Sequence, residues 1–217
     1  MKNNTLFIHI EGQVTLPAPG CNIIPCQKSI LLNKIYELEA EKSVLIQNIA
    51  NLNTRLNHDY LTGLKSREAA IETIANWLKN QEISTIGIVY MDIDNLKKVN
   101  DLAGHAAGDQ ALNYMGKTLK QCRQPECCVA RLSGDEFIAI LPNTSEEALE
   151  RWSLNVEKNL RLHGPININD HKISVSVSMG RYFYDKSYSV QCMSPKQLIE
   201  KADLSMYKSK NNKINHL

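Results

Sequence analysis

Four acidic residues lie where two apolar segments of the sequence end. Asp92 and Asp94 close the segment ISTIGIVYMDID, and Asp135 and Glu136 lie at the tip of the hairpin-like segment CVARLSGDEFIAIL. Hard cations such as Mg²⁺ are held by one or two carboxylates together with substrate phosphate oxygens. Carboxylates from two neighbouring strands, with a backbone carbonyl between them, form a platform for two-metal nucleotidyl transfer. The acidic residues therefore predict a Mg²⁺ (or Mn²⁺) site, although each of them alone is equally typical of a turn.

A nucleotide substrate also needs basic groups for its phosphates. Candidate lysines follow the first acidic pair and recur near the C-terminus: Lys97, Lys98, Lys208, Lys210 and Lys213. Basic residues at the end of a helix are also favoured by the helix dipole alone. Taken singly, these lysines leave both interpretations open.

One further carboxylate is suited to reading a base. Guanine presents two adjacent donors, N1–H and its exocyclic amine, whereas adenine presents a donor and an acceptor. Asp109, with Asn100 beside it in the predicted site, therefore favours guanine. His105 lies between them, where a capping or surface histidine is the alternative interpretation.

The elements that must position these residues succeed one another as strand, helix, hairpin, helix and strand. That succession is the ferredoxin-like βαββαβ arrangement, in which the first strand is central and lies next to the hairpin. We predict one α+β domain over residues 58–217, of nucleotidyl-cyclase or palm-like type, with a mixed or antiparallel central sheet. The predicted elements are a helix over 66–79, the strand ending at Asp94, two helices separated near Gly104, the hairpin, a helix over 145–162, a strand over 171–184 and a helix over 195–210.

Residues 29–57 carry an apolar repeat with alternating steps of four and three residues and contain no Pro or Gly. Such a heptad seam favours a parallel dimeric coiled coil, and a charged seam residue sets register at some cost in stability. The alternative is a single amphipathic helix lying on its own domain. The seam residues are Leu31, Ile35, Leu38, Lys42, Leu45, Ile49, Leu52 and Leu56.

Residues 1–28 form a short N-terminal segment of unknown role, with an apolar strand TLFIHI and a breaker-rich loop. Its Cys21 and Cys26 are interpreted as apolar filler rather than half of a zinc site. The six cysteines of the chain are expected to be free thiols.

The bulk properties exclude several classes of protein. A net charge of +2 gives no support to charge-driven binding of nucleic acid or membranes. No apolar run approaches the roughly 18 residues of a membrane span, and the N-terminus is a poor signal peptide. We expect a cytoplasmic protein.

From His58 onward the chain resembles the GGDEF family of diguanylate cyclases. DYLTGLKSR is similar to the family's D-x-L-T-G-L-x-N-R motif, RLSGDEF lies where its signature loop belongs, and SVSMG and KADLSMYKSK resemble its last strand and last helix. MDIDNLKKVNDLAGHAAGDQAL is similar to the D-I-D-x-F-K-x-x-N-D-x-x-G-H-x-x-G-D-x-x-L stretch. It matches at Asp92, Asp94, Lys97, Asn100, Asp101, Gly104, His105, Gly108, Asp109 and Leu112.

The resemblance implies that two GTP molecules, one on each domain of a homodimer, condense to cyclic di-GMP and two pyrophosphates. It implies that Asp92, the Ile93 carbonyl and Asp135 bind metal, and that Glu136 supports the metal or removes the 3′-hydroxyl proton. It assigns guanine recognition to Asn100 and Asp109 and phosphate contacts to Lys97 and Lys210. The full set of implied GTP-binding residues is Lys97, Asn100, His105, Asp109, Ser133, Gly134, Lys210 and Lys213.

The sequence departs from the family pattern at three places. Ser133 replaces the first signature glycine, which costs on the order of 1 kcal/mol if that position needs a positive φ; we predict a competent loop. Gln124 and Cys127 stand where the family's R-x-x-D product-inhibition site belongs, so we predict no feedback inhibition there. Lys213 and Ile214 replace the usual Gly-Arg of a final G-R-N turn.

The main hypothesis is an active diguanylate cyclase. The alternative is a catalytically inactive module that binds GTP or a partner protein, and a coiled-coil scaffold is a third interpretation. No sensor domain is recognised before the coiled coil. Control by an unidentified sensory or effector protein, by thiol oxidation or by expression level stays open.

Overall fold

The structure is a computed structural model that describes residues 27–162, 164–168, 171–188 and 192–214. The predicted strand TLFIHI and the pair Cys21 and Cys26 lie outside these residues. The chain divides into two units, Met1–Ile49 and Ala50–Leu217. In chain order the elements are α1 (Gln27–Asn57), α2 (Arg67–Lys79), β1 (Thr85–Ile93), α3 (Leu96–Ala103), α4 (His105–Cys122), β2 (Cys128–Ser133), β3 (Glu136–Pro142), α5 (Glu146–Leu162), β4 (Ile166–Ile168), β5 (His171–Ile173), β6 (Val177–Asp185) and α6 (Pro195–Ile214).

Helix α1 is continuous over 31 residues. The apolar seam residues along it are between 50% and 67% exposed in the single chain. A long helix with an exposed apolar stripe is what a coiled-coil strand looks like without its partner. Pairing of α1 stays a prediction.

Four strands form one antiparallel sheet in the order β2-β3-β1-β6. This is the order of the ferredoxin-like arrangement, with β1 central and next to the β2–β3 hairpin. The predicted α+β fold class is therefore confirmed, and the sheet is antiparallel rather than mixed.

Both faces of the sheet are covered by helices, which explains why β1 is almost continuously apolar. Alternate residues such as Val89 and Met91 pack against α4 and α5. Their neighbours Ile88 and Tyr90 face α2 and α6. Gly180 in β6 lets α6 approach closely, since a Cβ there would lie 1.9 Å from the Met206 nitrogen.

One predicted element is wrong. The segment over 171–184 is not one strand: β5 ends at Ile173 and pairs with β4, which was not predicted, in a separate two-stranded sheet. The main-sheet strand β6 begins at Val177. Alternating apolar residues in HKISVSVSMG favour an unbroken strand, but the chain changes its pairing partner between Ile173 and Val177.

The helix predictions hold with small shifts at their ends. Ser66 caps α2 by accepting a hydrogen bond from the Ala69 amide, as its position in the sequence indicates. Helix α6 continues to Ile214, four residues beyond the predicted end at Lys210. None of the helices in the described part of the chain is long and apolar enough to cross a membrane.

Candidate active site

The two acidic pairs meet at one edge of the sheet. Asp92, near the end of β1, is the register partner of Glu136, the first residue of β3. The Ile93 amide donates a hydrogen bond of 3.1 Å to the carbonyl of Asp135. The backbone thus holds Asp92, Ile93, Asp135 and Glu136 together, as the predicted strand order requires.

At this edge the Asp92 carboxylate forms an ion pair with Lys210. The Asp92 side chain is 15% exposed and accepts a hydrogen bond of 2.5 Å from Lys210 Nζ. Burial raises the pKa of Asp92, and the charges of Asp135 and Asp94 also raise it, against the opposing effect of Lys210. The site therefore carries an excess of negative charge.

Lys210 provides a positive charge next to these carboxylates. Burial by itself lowers the pKa of Lys210, but the hydrogen bond to Asp92 and the charges of Asp92, Asp94 and Asp135 raise it above its ordinary value. The ammonium group of α6 thus lies where the fields of three carboxylates converge. Carboxylates are also the ligands that hard cations such as Mg²⁺ use in proteins.

Asp94 has a different environment from Asp92. Its carboxylate accepts hydrogen bonds from Ser176 (2.9 Å) and Ser178 (2.6 Å), and its amide donates to the Ser176 carbonyl at 2.9 Å. These contacts tie the end of β1 to the start of β6. Asp94 is therefore a structural residue, which the spacing of D-I-D alone does not reveal.

The donor set fits a metal that arrives with its substrate. Within the described residues, no group of three or more His, Cys, Asp and Glu side chains is placed to hold a metal ion. Mg²⁺, however, is commonly bound by one or two carboxylates, with waters and substrate phosphates completing its shell. Asp92 and Asp135 match that requirement.

The signature turn, residues 133–136, does not require a positive φ at Ser133. Gly134 has φ of 42°, the conformation that favours glycine, whereas Asn95 and Asn143 are the non-glycine residues of the described chain with positive φ. Ser133 therefore carries no backbone strain. Its hydroxyl donates a hydrogen bond of 2.5 Å to Glu136 Oε2.

Arg131 and Asp59 support this turn, and neither was among the predicted site residues. The Arg131 guanidinium donates to the Gly134 carbonyl at 3.0 and 2.7 Å and forms an ion pair with Asp59 at 3.2 Å. Both side chains are less than one fifth exposed. Asp59 also accepts hydrogen bonds from the Thr62 amide and hydroxyl at 2.8 and 2.7 Å. The D-x-L-T pattern and the arginine of RLSGDEF were the available signals.

Burial raises the pKa of Asp59, but hydrogen bonds from Thr62 and the Arg131 charge outweigh it and lower the pKa below its ordinary value. Because Arg131 bonds both Asp59 and Gly134, the loop after α1 is linked to the signature turn. The ionised form of Asp59 is the one that makes this link.

The predicted guanine residues lie on α3 and α4. A Cβ at Gly108 would lie 1.9 Å from Asn100 Oδ1, so the absent side chain makes room for the Asn100 amide next to Asp109. Asn100 Oδ1 is buried, and within the described chain it has no hydrogen-bond partner. Buried acceptors are normally satisfied, so this oxygen is suited to a donor on a ligand.

The other predicted substrate residues are less constrained. Lys97 is exposed in the first turn of α3, and His105 is exposed at the start of α4. The side chain of Lys213 lies outside the described residues, although the α6 backbone includes it. Among the described side chains of this set, Lys210 contacts the acidic edge, whereas Lys97 and His105 do not.

Gln124 and Cys127 form a small turn between α4 and β2. The Cys127 amide donates to the Gln124 carbonyl at 3.1 Å, and Cys127 is 7% exposed. Burial is the main cause that raises the pKa of the Cys127 thiol. A neutral thiol and an amide replace the charged pair that an R-x-x-D site would supply.

The fold and the acidic edge together define a nucleotidyl-cyclase-like domain, and comparison with known proteins identifies its family. The family model for "Diguanylate cyclase, GGDEF domain" matches residues 56–216. The chain belongs to this family.

Two relatives and one solved structure illustrate the similarity. The chain is 34% identical over 154 residues to the cyclic di-GMP phosphodiesterase PdeR of Escherichia coli, covering 71% of this chain and 22% of that protein. It is 32% identical over 192 residues to diguanylate cyclase A of Treponema denticola, covering 82% and 50% respectively. The chain thus spans half or less of the length of these relatives.

A solved structure contains the coiled coil and GGDEF domain of DgcB from Caulobacter crescentus in complex with c-di-GMP. It has a TM-score of 0.72 at 22% identity and covers 84% of this chain and 95% of that one. At this identity the likeness concerns the fold.

Proposed function

We propose that this protein is a diguanylate cyclase that condenses two GTP molecules to cyclic di-GMP and two pyrophosphates across a homodimer. The observation that carries the proposal is the meeting of Asp92, Asp135 and Glu136 at one sheet edge, locked by the Ile93–Asp135 backbone hydrogen bond. The family match and the relative named diguanylate cyclase A support it.

Each residue of the site then has a role. Asp92 and Asp135, with the Ile93 carbonyl, would hold Mg²⁺ or Mn²⁺, which when bound stabilises charge on the transferring phosphate and its leaving group. Glu136 accepts the 3′-hydroxyl proton or supports the metal site. Lys210, whose Nζ already lies at Asp92, neutralises phosphate oxygens brought to this edge.

Recognition of the base falls to α3 and α4. Asp109 accepts from guanine N1–H and its exocyclic amine. Asn100 Oδ1, which has no partner among the described residues, accepts from a further donor on the ligand. His105 completes the proposed GTP-binding set with Lys97, Gly134 and Lys213. The carboxylate of Asp109 disfavours ATP, since adenine places an acceptor where guanine has a donor.

The α1 seam supplies the proposed dimer contact. Each domain holds one GTP and therefore half of the reaction, so linking two domains raises their effective concentration and favours a productive encounter. A parallel coiled coil of α1 buries the exposed seam while joining the domains. An unidentified sensory or effector protein that binds this region would then control turnover, and we place the reaction in the cytoplasm.

Product inhibition at the Gln124–Cys127 position is not expected. A bidentate arginine and a carboxylate are the groups that recognise a guanine and a phosphate together. The exposed amide of Gln124 and the buried thiol of Cys127 offer neither charge.

A second candidate function is a catalytically inactive regulatory module that binds GTP or a partner protein. Two observations favour it: Lys210 already neutralises Asp92, and a matching relative, PdeR, is named for phosphodiesterase activity. Against it, a binding module has no need of two metal carboxylates and a proton acceptor at one edge.

Incubation of the purified protein with GTP and Mg²⁺, followed by chromatographic separation of products, distinguishes the two candidates. We expect cyclic di-GMP from the wild type and from Glu72→Ala, a control that removes an exposed carboxylate of α2. Asp135→Ala should remain folded and make no product. A folded wild type that binds GTP without turnover would favour the regulatory module.

A further inference from the structure

Ser133 occupies a position where the resemblance predicts a nucleotide contact, but its hydroxyl is engaged with the protein. It donates to Glu136 Oε2 at 2.5 Å, within the range of charge-assisted O–H···O⁻ bonds. Ser133 and Glu136 are also register partners that flank the two-residue turn Gly134–Asp135. The hydroxyl and the carboxylate therefore belong to one cross-strand pair.

Tyr90 lies on the same face of the sheet as the Glu136 side chain. Tyr90 is two residues before Asp92, the register partner of Glu136, so its side chain projects from the same face of β1. Tyr90 is 5% exposed. The observed hydrogen bond to the Glu136 carboxylate comes from Ser133 at the turn, while Tyr90 lies in the core on the same face.

We propose that Ser133 is a positioning residue that fixes the orientation of the Glu136 carboxylate for the condensation, and does not act as a ligand of the nucleotide. This proposal rests on the proposed function, because Glu136 needs a defined orientation only if it accepts a proton or supports a metal. A glycine at position 133 lacks the hydroxyl, so this chain has a contact that a glycine-containing loop cannot make.

A positioning role and a ligand role of Ser133 affect different kinetic constants. Loss of an orienting hydrogen bond lowers kcat, whereas loss of a contact to bound GTP raises KM. Hydrogen bonds to charged groups are worth enough for roughly a tenfold change in rate. We expect Ser133→Ala and Ser133→Gly to lower kcat about tenfold with KM for GTP unchanged. Ser133→Thr, which keeps the hydroxyl, should stay within about twofold of wild type.

Ser187→Ala is a matched control. Its hydroxyl also lies 2.5 Å from an exposed carboxylate, that of Asp185, two residues away and at the opposite end of β6 from Val177. It removes a hydrogen bond of the same length and type outside the site. We expect Ser187→Ala to retain wild-type kcat and KM.

The experiment measures initial rates of cyclic di-GMP formation over a range of GTP concentrations for these five proteins. A raised KM at constant kcat in Ser133→Ala would identify a nucleotide ligand and overturn the proposal. Equal losses in Ser133→Ala and Ser133→Thr, or no loss in either, would overturn it as well. An inactive wild type would instead overturn the proposed function, and with it any role of Ser133 in turnover.

Thermal unfolding of Ser133→Ala, Glu136→Ala and the double variant tests the contact itself without activity. If the two side chains interact in solution, their effects on the melting temperature are not additive. Additive effects would show that the pair does not form, which overturns the positioning role whether or not the wild type turns over.

Discussion

The acidic edge and the proposed guanine-binding side of this domain are held in different ways. At the edge, Asp92, Asp94 and Glu136 each have a protein partner. On α3 and α4, Asp109 is exposed and Asn100 Oδ1 is buried without a partner in the described chain. The acidic edge is thus organised by contacts within the protein, whereas the proposed guanine-binding side offers exposed or unsatisfied groups to a ligand. Substitutions should therefore separate chemistry from binding.

The largest expected effect distinguishes the two aspartates of D-I-D. Asp92→Asn removes a charge from the proposed metal site, so kcat/KM for GTP should fall by at least about a hundredfold with the fold intact. Asp94→Asn alters the acceptor of two serine hydroxyls and should destabilise the fold by about 1–2 kcal/mol. Initial rates and urea unfolding measure the two effects. Equal loss of stability in both variants would contradict the separate roles.

The next prediction concerns Arg131, which links Asp59 to the signature turn. Arg131→Ala leaves the partly buried Asp59 without its cation and the Gly134 carbonyl without two donors, so the free energy of unfolding should fall by about 2 kcal/mol. The exposed pair Arg161–Glu157 serves as control, since Arg161→Ala should cost well under about 1 kcal/mol. Urea denaturation decides between them. An equal cost for the two variants would show that the Arg131 link contributes nothing beyond a surface ion pair.

Asn100→Ala tests the proposed guanine-binding side. Removing an acceptor that has no partner within the described part of the chain should not lower stability. KM for GTP should rise about fivefold to tenfold, because a contact to guanine is lost. Rates with GTP and thermal melting without it are the measurements. Destabilisation at unchanged KM would mean that Asn100 is a packing residue, and the contrast with the acidic edge would disappear.

The sequence predicts which residues form the acidic edge better than it predicts the side-chain contacts that hold them in place. Strand order follows from the βαββαβ succession, and that order alone brings Asp92 to Glu136. The Arg131–Asp59 pair joins residues 72 positions apart, so no local spacing announces it. The same holds for Asp94, whose partners on the β6 side are 82 and 84 residues away. Side-chain pairings across the fold, unlike strand periodicity, leave no regular pattern.

The strand prediction over 171–184 failed for a related reason. Alternation of apolar and polar residues indicates an extended chain but does not say which neighbour it pairs with. Residues of β5 pair with β4, and those of β6 pair with β1. The Ser176 carbonyl, between these strands, accepts from the Asp94 amide. Pairing is a tertiary property, so the break in the strand had no local signal.

The smallest expected effect concerns the stability of the fold at low pH. The folded-state pKa of Asp59 lies below its ordinary value of 3.8, so its ionised form stabilises the fold above that value, and this stability is lost as pH falls through the lower folded-state pKa. Asp92 has the opposite sign, because its raised pKa makes the folded state bind a proton more readily as pH falls. Asp59→Asn should therefore flatten the decline in melting temperature below about pH 4, relative to wild type. Asp185→Asn is the control for a carboxyl whose lowered pKa arises from hydrogen bonds to Ser187 on the surface. If Asp59→Asn left the decline in melting temperature at low pH unchanged, the Arg131–Asp59 ion pair would not contribute to the stability of the turn.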